Sequence, residues 1–340
     1  MKHRIGLIGL GMAVTPHARS LLDLAERVEV AAAYSRSARR REAFAAHFPF
    51  PLTDDLDSIF DCPAIDTIAV LTPPDSHLDL VRRAAAKGKH VLLEKPLDIT
   101  TVRAEAMAAA AEKAGITVAV MLQHRFKPAA EQLKQVLALQ GLGRIVGVSA
   151  HVPLWRPQSY YDVEGRGTRA RDGGGVLISQ AIHTLDLMLS LAGPVSRVSA
   201  FVSNGAAHKM ETEDIVAAAL RFQNGAIGAI EATTASYPGS VERIDFTGTA
   251  GTAALMGTGL ELRWQDGRSE SFAPDALPGG VGADPMAFSH HYHLAAWQDF
   301  FDALDQGRPP RISPREALKV HYLIDAILEA GALGGGVAVD

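Results

Sequence analysis

Arg4-Ile5-Gly6-Leu7-Ile8-Gly9-Leu10-Gly11 joins an aliphatic run to a glycine-rich turn, and a helical pattern opens behind it at Ala13. Such a turn needs glycine where the backbone bends sharply and where it must approach a pyrophosphate, whose charge then faces the positive end of the next helix. Read as Gly-x-Gly-x-x-Gly, the pattern has Gly9 and Gly11 but closes on Val14, beside Ala13. A plain tight turn uses the same residues. A place inside a strand–helix–strand unit favours the dinucleotide, with Gly9, Gly11, Met12 and Ala13 facing its phosphates. A basic Met1–Arg4 and an apolar Ile5–Val14 also outline a signal peptide, but glycines at 6, 9 and 11 and the lack of a small-x-small cleavage site point to a folded strand and turn.

Working outward, short aliphatic runs alternate with amphipathic stretches. Strands are expected at Arg4–Gly9, Val28–Tyr34, Asp66–Leu71, His90–Glu94 and Ile116–Met121, with helices near Ala13–Glu26, Ala38–His47, His77–Lys87 and Thr101–Ala114. The strands are apolar without strict alternation, as in a parallel sheet covered on both faces. This predicts an α/β, doubly wound Rossmann domain over residues 1–124. From 125 to 340 the pattern changes to an α+β domain with a mostly antiparallel, open sheet. A helix at Pro128–Leu139 and a strand at Arg144–Val152 lead to an irregular stretch, Pro153–Asp172, and a buried helix near Gly175–Ala192. Strands with hairpin turns follow at Asn224-Gly225 and Asp266-Gly267, and two helices, near Ala287–Asp305 and Pro314–Ala330, close the chain.

The 340 residues leave room for two domains. Hydrophobic residues at 47% and charged residues at 21% exclude a disordered or collagen-like chain. No apolar run reaches the roughly 18 residues of a membrane span. A net charge of −5 without a basic block argues against nucleic acid or an anionic membrane as partner. A single cysteine, Cys62, excludes an internal disulfide and a cysteine-rich metal site, and suits a reducing compartment, hence the cytoplasm.

An Asp or Glu roughly 20 residues beyond the glycines usually holds the ribose hydroxyls of NAD. Here that place reads Tyr34-Ser35-Arg36-Ser37, with Arg39, Arg40 and Arg41 after it. Serine beside arginine suits a 2′-phosphate, so the residues favour NADP over NAD, with Ser35, Arg36 and Arg40 as contacts. An ordinary basic helix start is the plainer alternative.

Thr72-Pro73-Pro74-Asp75-Ser76-His77 follows the third predicted strand, and Glu94-Lys95-Pro96 the fourth. With the glycines, these motifs resemble the Gfo/Idh/MocA family of oxidoreductases. The resemblance runs through Gly173-Gly174-Gly175, Ser179-Gln180 and His183-Thr184-Leu185-Asp186 to Asp299–Leu304 and Gly307–Pro310, nearly the whole chain. It implies a nicotinamide cofactor touched by Thr72, Pro73, Pro74, His77, Glu94 and Lys95, and a substrate reached by Lys95, Ser179, Gln180 and His183. Lys95 would lie beside the reacting carbon, where an ammonium steadies a carbonyl or alkoxide oxygen. His183 would accept the proton of a substrate hydroxyl. Ser179, His183 and Asp186 make one polar stripe at helical spacing, and burying it calls for a reason such as a substrate. Many sugar dehydrogenases of the family carry an aspartate four residues before the histidine; Ser179 stands there instead and cannot ionise.

Other features stay open at this level. Arg125, at the expected domain junction, suits either a substrate oxygen or a structural ion pair. Pro153–Asp172 carries Trp155, Tyr160 and Tyr161 with arginines at 156, 166, 169 and 171, of which Trp155 and Arg169 are candidate substrate contacts; a solvated crossover fits as well. His290-His291-Tyr292-His293 lacks the companion spacing of a metal site. The function expected is hydride transfer between nicotinamide and a secondary alcohol of a sugar, sugar acid, polyol or nucleotide sugar. The alternatives are a glycosidase of the same fold with bound NAD, and a non-catalytic dinucleotide sensor. An open sheet face also predicts a homo-oligomer, dimer or tetramer, built through the C-terminal sheet.

Overall fold

The computed structural model describes residues 2–273 and 288–339. It divides into two compact units, residues 1–123 with 289–318, and residues 124–288 with 319–340. The first contains strands β1 (His3–Ile8), β2 (Val28–Tyr34), β3 (Leu52–Thr53), β4 (Thr67–Val70), β5 (His90–Glu94) and β6 (Val118–Met121), and helices α1 (Val14–Asp23), α2 (Ala38–Ala45), α3 (Leu56–Asp61), α4 (His77–Ala86) and α5 (Thr101–Ala114). The strands form one parallel sheet in the order β3-β2-β1-β4-β5-β6. Ile5, Leu7, Ile68, Val70, Val91 and Leu93 are fully buried, which explains why these strands read as continuous apolar runs. The order reverses direction between β1 and β4, and ligands of such sheets bind at the carboxyl ends of the strands near that point. Gly9, Ser35, Thr72 and Lys95 all follow those ends.

The second unit contains α6 (Pro128–Ala138), β7 (Ile145–Pro153), the helical turns α7 (Gln158–Tyr161) and α8 (Arg169–Asp172), and α9 (Ile182–Ala192). Strands β8 (Val195–Ser203), β9 (Ile215–Phe222), β10 (Ile227–Thr233), β11 (Arg243–Gly248), β12 (Gly251–Met256), β13 (Gly259–Trp264) and β14 (Ser269–Phe272) follow. With β7 and the C-terminal β15 (Val337–Ala338) they build a nine-stranded sheet that is antiparallel except for the β7–β10 pair. Along β9, Val216, Ala218, Leu220 and Phe222 are buried while Ile215, Ala217, Ala219 and Arg221 are exposed, so one face packs and the other is open. Arg169–Ala192 is long and apolar enough to cross a membrane by composition, yet 78% of its apolar window is buried inside the protein. It is a core segment.

The tail departs from the expected division. Helices α10 (His291–Gln306) and α11 (Pro314–Leu333) and strand β15 (Val337–Ala338) close the chain, the expected start at Ala287 lying outside the described residues. Residues 289–318, expected with the second domain, belong to the first unit. The reason is apolar: Trp297, Phe300 and Phe301 of α10 are fully buried, and Phe301 stacks on His3 of β1 at 4.8 Å.

Candidate active site

The two glycines of the turn have different causes. Gly9 has φ +107°, and a Cβ there would come within 2.7 Å of the Leu71 carbonyl oxygen, so the fold itself demands glycine. A Cβ on Gly11 would meet nothing within 4 Å. Packing gives no reason for glycine there, whereas a phosphate lying over the backbone does. Helix α1 starts just beyond with no side-chain cap and no acid in its first turn, leaving its N–H groups for an anion. These features fit a bound dinucleotide. Met12 is 46% exposed; Ser35 is buried, and Arg36 and Arg40 are exposed, without an ion pair among the described residues.

His77 is fully buried, with Nδ1 against the Pro96 and Leu97 carbonyls (3.0 and 3.1 Å) and Nε2 against the Thr72 carbonyl (2.9 Å). It ties the Thr72–Ser76 loop to the Glu94-Lys95-Pro96 segment rather than presenting a nitrogen outward. The Lys95–Pro96 peptide is cis.

Glu94 turns inward. One carboxylate oxygen lies 2.8 Å from His17 Nε2 and the other accepts the Lys95 N–H at 3.0 Å. Burial favours its neutral form, but the His17 hydrogen bond and the field of the neighbouring His17, His293 and, least, Lys95 side chains outweigh it, holding the carboxyl at about 2. His17, Glu94 and His293 bring ligand atoms within 4.8 Å of one another, as a metal triad does. Trp297 argues against that use. Its Nε1–H donates to His17 Nδ1 at 3.2 Å, so the imidazole proton sits on Nε2 and points at Glu94. A metal on Nε2 would move that proton to Nδ1, against the indole N–H. His293 is held neutral by burial, its pKa lowered to about 3.

In the second unit, the helix that carries the sequence motif is irregular. Leu177–Ala181 forms a π-turn before α9 begins, so the regular stripe expected from Ser179 to Asp186 is broken. π-turns recur at functional sites because they rotate side chains out of helical register. From Gly174 to Leu189 every residue is buried except Ser179 and His183. The triple glycine has a steric cause: a Cβ on Gly175 would lie 1.8 Å from the Glu213 carbonyl oxygen. Glu213 also accepts the N–H groups of Gly175 and Leu177 at 3.0 and 3.1 Å, capping the turn, while burial raises its pKa.

Arg125 grips Asp186 through two hydrogen bonds of 2.7 and 2.6 Å. Asp186 is 1% exposed, so this pair pins the helix beneath His183. The His124 ring lies 4.9 Å from the His183 ring. Glu242 accepts from Thr184 at 2.6 Å and lies 3.6 Å from His124. Gln180 is buried, and its Nε2 lies 3.4 Å from the Tyr160 hydroxyl. Trp155 stands edge-on to Tyr237 at 5.1 Å. Arg169 is 79% exposed beside Glu211, apart from this group of contacts. His17, Trp297, Glu213 and Glu242 were not singled out from the sequence. Each acts on a residue far along the chain, and no local pattern announces such a partner.

Known proteins agree with this architecture. Residues 3–122 match the model of the oxidoreductase family with an NAD-binding Rossmann fold, and residues 130–254 that of the GFO/IDH/MocA C-terminal domain. The chain is 27% identical to levoglucosan dehydrogenase of Pseudarthrobacter phenanthrenivorans over 82% of its own length and 81% of that protein's. It is 27% identical to D-apiose dehydrogenase of Paraburkholderia graminis over 94% of its length and 85% of that protein's. The WlbA dehydrogenase of Bordetella pertussis, solved with NADH and UDP-GlcNAcA, superposes with a TM-score of 0.85 at 27% identity, covering 100% of this chain and 99% of that one. With both of its domains matched and the glycine turn, Glu94-Lys95-Pro96 and the Ser179–His183 helix in place, the chain belongs to the Gfo/Idh/MocA family of oxidoreductases.

Proposed function

We propose that the protein transfers a hydride between a nicotinamide dinucleotide and a secondary alcohol of a sugar, sugar acid, polyol or nucleotide sugar. The observation that carries this reading is the pair Ser179 and His183, partly exposed on a segment whose other residues from Gly174 to Leu189 are buried. Dehydrogenases of levoglucosan and D-apiose among the relatives support it.

Held by Gly9, Gly11 and the N-terminus of α1, with Thr72, Pro73 and Pro74 alongside, the dinucleotide supplies a two-electron acceptor. The chain supplies orientation and proton handling. His183 takes the proton of the substrate hydroxyl, and Lys95 supplies an ammonium that steadies developing negative charge. Ser179 orients a neighbouring hydroxyl, and the Arg125–Asp186 pair keeps the helix from shifting under His183.

NADP(H) is the preferred cofactor in this reading. No acid occurs between Tyr34 and Glu42, and Asp54, after β3, is paired with Arg41 at 3.1 Å. A charge-assisted contact from Arg36 to a 2′-phosphate gives roughly 10- to 150-fold discrimination. Exposed Phe201, Ile215 and Ile227 on the open sheet face support a homo-oligomer, and the single cysteine supports a cytoplasmic location.

Initial rates across a panel of sugars, sugar acids, polyols and nucleotide sugars, with each cofactor, test the reading. Turnover of at least one member is expected, with NADP(H) bound more tightly than NAD(H) and that margin lost in Arg36→Ala. Absence of turnover on every hydroxylic compound contradicts the dehydrogenase, and tighter NAD(H) binding contradicts the preference.

A further inference from the structure

The loop ahead of the triple glycine gathers arginines, and their surroundings separate them. Arg169 lies 3.9 Å from Glu211, and Arg171 lies 3.9 Å from Asp172. Of the three acids of the loop, Asp162 accepts from Gln158 at 3.0 Å and Asp172 accepts the Gly167 N–H at 2.8 Å, while Glu164 is exposed. Arg166 has no ion pair among the described residues, and its Nε is shielded from water without a hydrogen-bond partner.

Arg166 is nevertheless fixed in place. It stands between Gly165 and Gly167, whose φ values of +74° and +70° need glycine. Thr212 holds the Gly167 carbonyl at 2.9 Å, and a Cβ on Gly167 would crowd Tyr161 and Met210 at 3.1 and 3.2 Å. The guanidinium lies over the Tyr160 ring, 4.1 Å from its centroid. Tyr160 in turn contacts Gln180 Nε2, and Gln180 Oε1 accepts from the Ser179 hydroxyl. Three contacts therefore join Arg166 to Ser179, one of the two partly exposed positions of that segment. Buried Arg156 lies 5.9 Å from the same ring centroid. Burial, and to a lesser degree Arg166, disfavours its charge, which Tyr160, Tyr161 and Glu242 offset in part. Arg166 therefore keeps guanidinium donors that make no ion pair among the described residues, an edge that suits an oxyanion.

We propose that Arg166, stacked on Tyr160, receives an oxyanion carried by the substrate, so that the alcohol oxidised belongs to an acidic sugar rather than a neutral one. This rests on the dehydrogenase reading for its chemistry, but not for its binding. Titration calorimetry of the whole protein provides the test. D-glucuronate and D-galacturonate present a carboxylate, D-glucose 6-phosphate and UDP-glucose a phosphate, and D-glucose no charge. At least one charged ligand should bind more tightly than glucose. That ligand should lose roughly 10- to 150-fold in affinity in Arg166→Gln and less in Arg166→Lys, with glucose unchanged within about twofold. The ligand that responds identifies carboxylate or phosphate as the source of the charge. Tyr160→Phe, which keeps the ring under the guanidinium, should retain the preference. Charged ligands no tighter than glucose, or an affinity unchanged in Arg166→Gln, overturns the proposal. Anion binding as expected without oxidation of any alcohol overturns the dehydrogenase reading alone.

Discussion

Glu94 sits at the carboxyl end of β5 with its carboxylate held between two donors. The sequence places it beside Lys95 at a strand end, facing a cofactor. The structure turns it into the interior, where it accepts from His17, a residue 77 positions away, and from the Lys95 N–H. Both neighbours donate, so Glu94→Gln must set an amide NH2 against one of them. A loss of about 1–3 kcal/mol follows from the unsatisfied pair. Denaturant unfolding measures it, and a change under about 0.5 kcal/mol would show that the contacts relax freely. What is local is visible in sequence: the glycines, Lys95 and His183 lie in motifs. The tautomer of His17, set by Trp297 from another helix, leaves no trace at its own position.

At the level of elements, the strand–helix alternation of the first unit was readable because buried parallel strands are apolar throughout, and the hairpins because Asn224-Gly225 and Asp266-Gly267 favour positive φ (+88° at Gly225, +89° at Gly267). The π-turn at Leu177–Ala181 was not readable. It follows from Glu213, which caps the segment from the stretch just ahead of β9 and forces glycine at position 175. The same segment is anchored from below by Arg125 and Asp186. Arg125→Met leaves a carboxylate at 1% exposure without its main counter-charge, which costs about 3–5 kcal/mol. The double variant Arg125→Met, Asp186→Leu should recover most of that loss, since no charge stays buried. Equal unfolding midpoints for Arg125→Met and the wild type would remove the pair from this role.

For the whole molecule, composition gave two domains, but the chain crosses back: α10 joins the first unit through Trp297, Phe300 and Phe301, a long-range choice that hydrophobic periodicity alone does not specify. Helices α10 and α11 also bear on acid stability, each through one buried histidine. Burial depresses His293 to about 3 and His321 to about 4, from an ordinary 6.5. Unfolding lets each take up a proton, so stability falls by about 1.4 kcal/mol per pH unit per histidine as pH drops below 6.5, until the folded pKa is reached. Glu94, lowered from 4.5 to about 2, adds the same sign below pH 4.5. Unfolding midpoints should decline between pH 7 and pH 5, and less steeply in His321→Phe; a flat profile contradicts this. The central claim, that Lys95 and His183 manage the proton of an alcohol oxidation, is tested most directly by steady-state turnover on the best substrate of the panel, with cofactor affinity measured alongside. Lys95→Ala and His183→Ala should each lower turnover by roughly 10²–10⁴-fold while cofactor affinity stays within about tenfold; near-normal turnover in both variants would contradict the account.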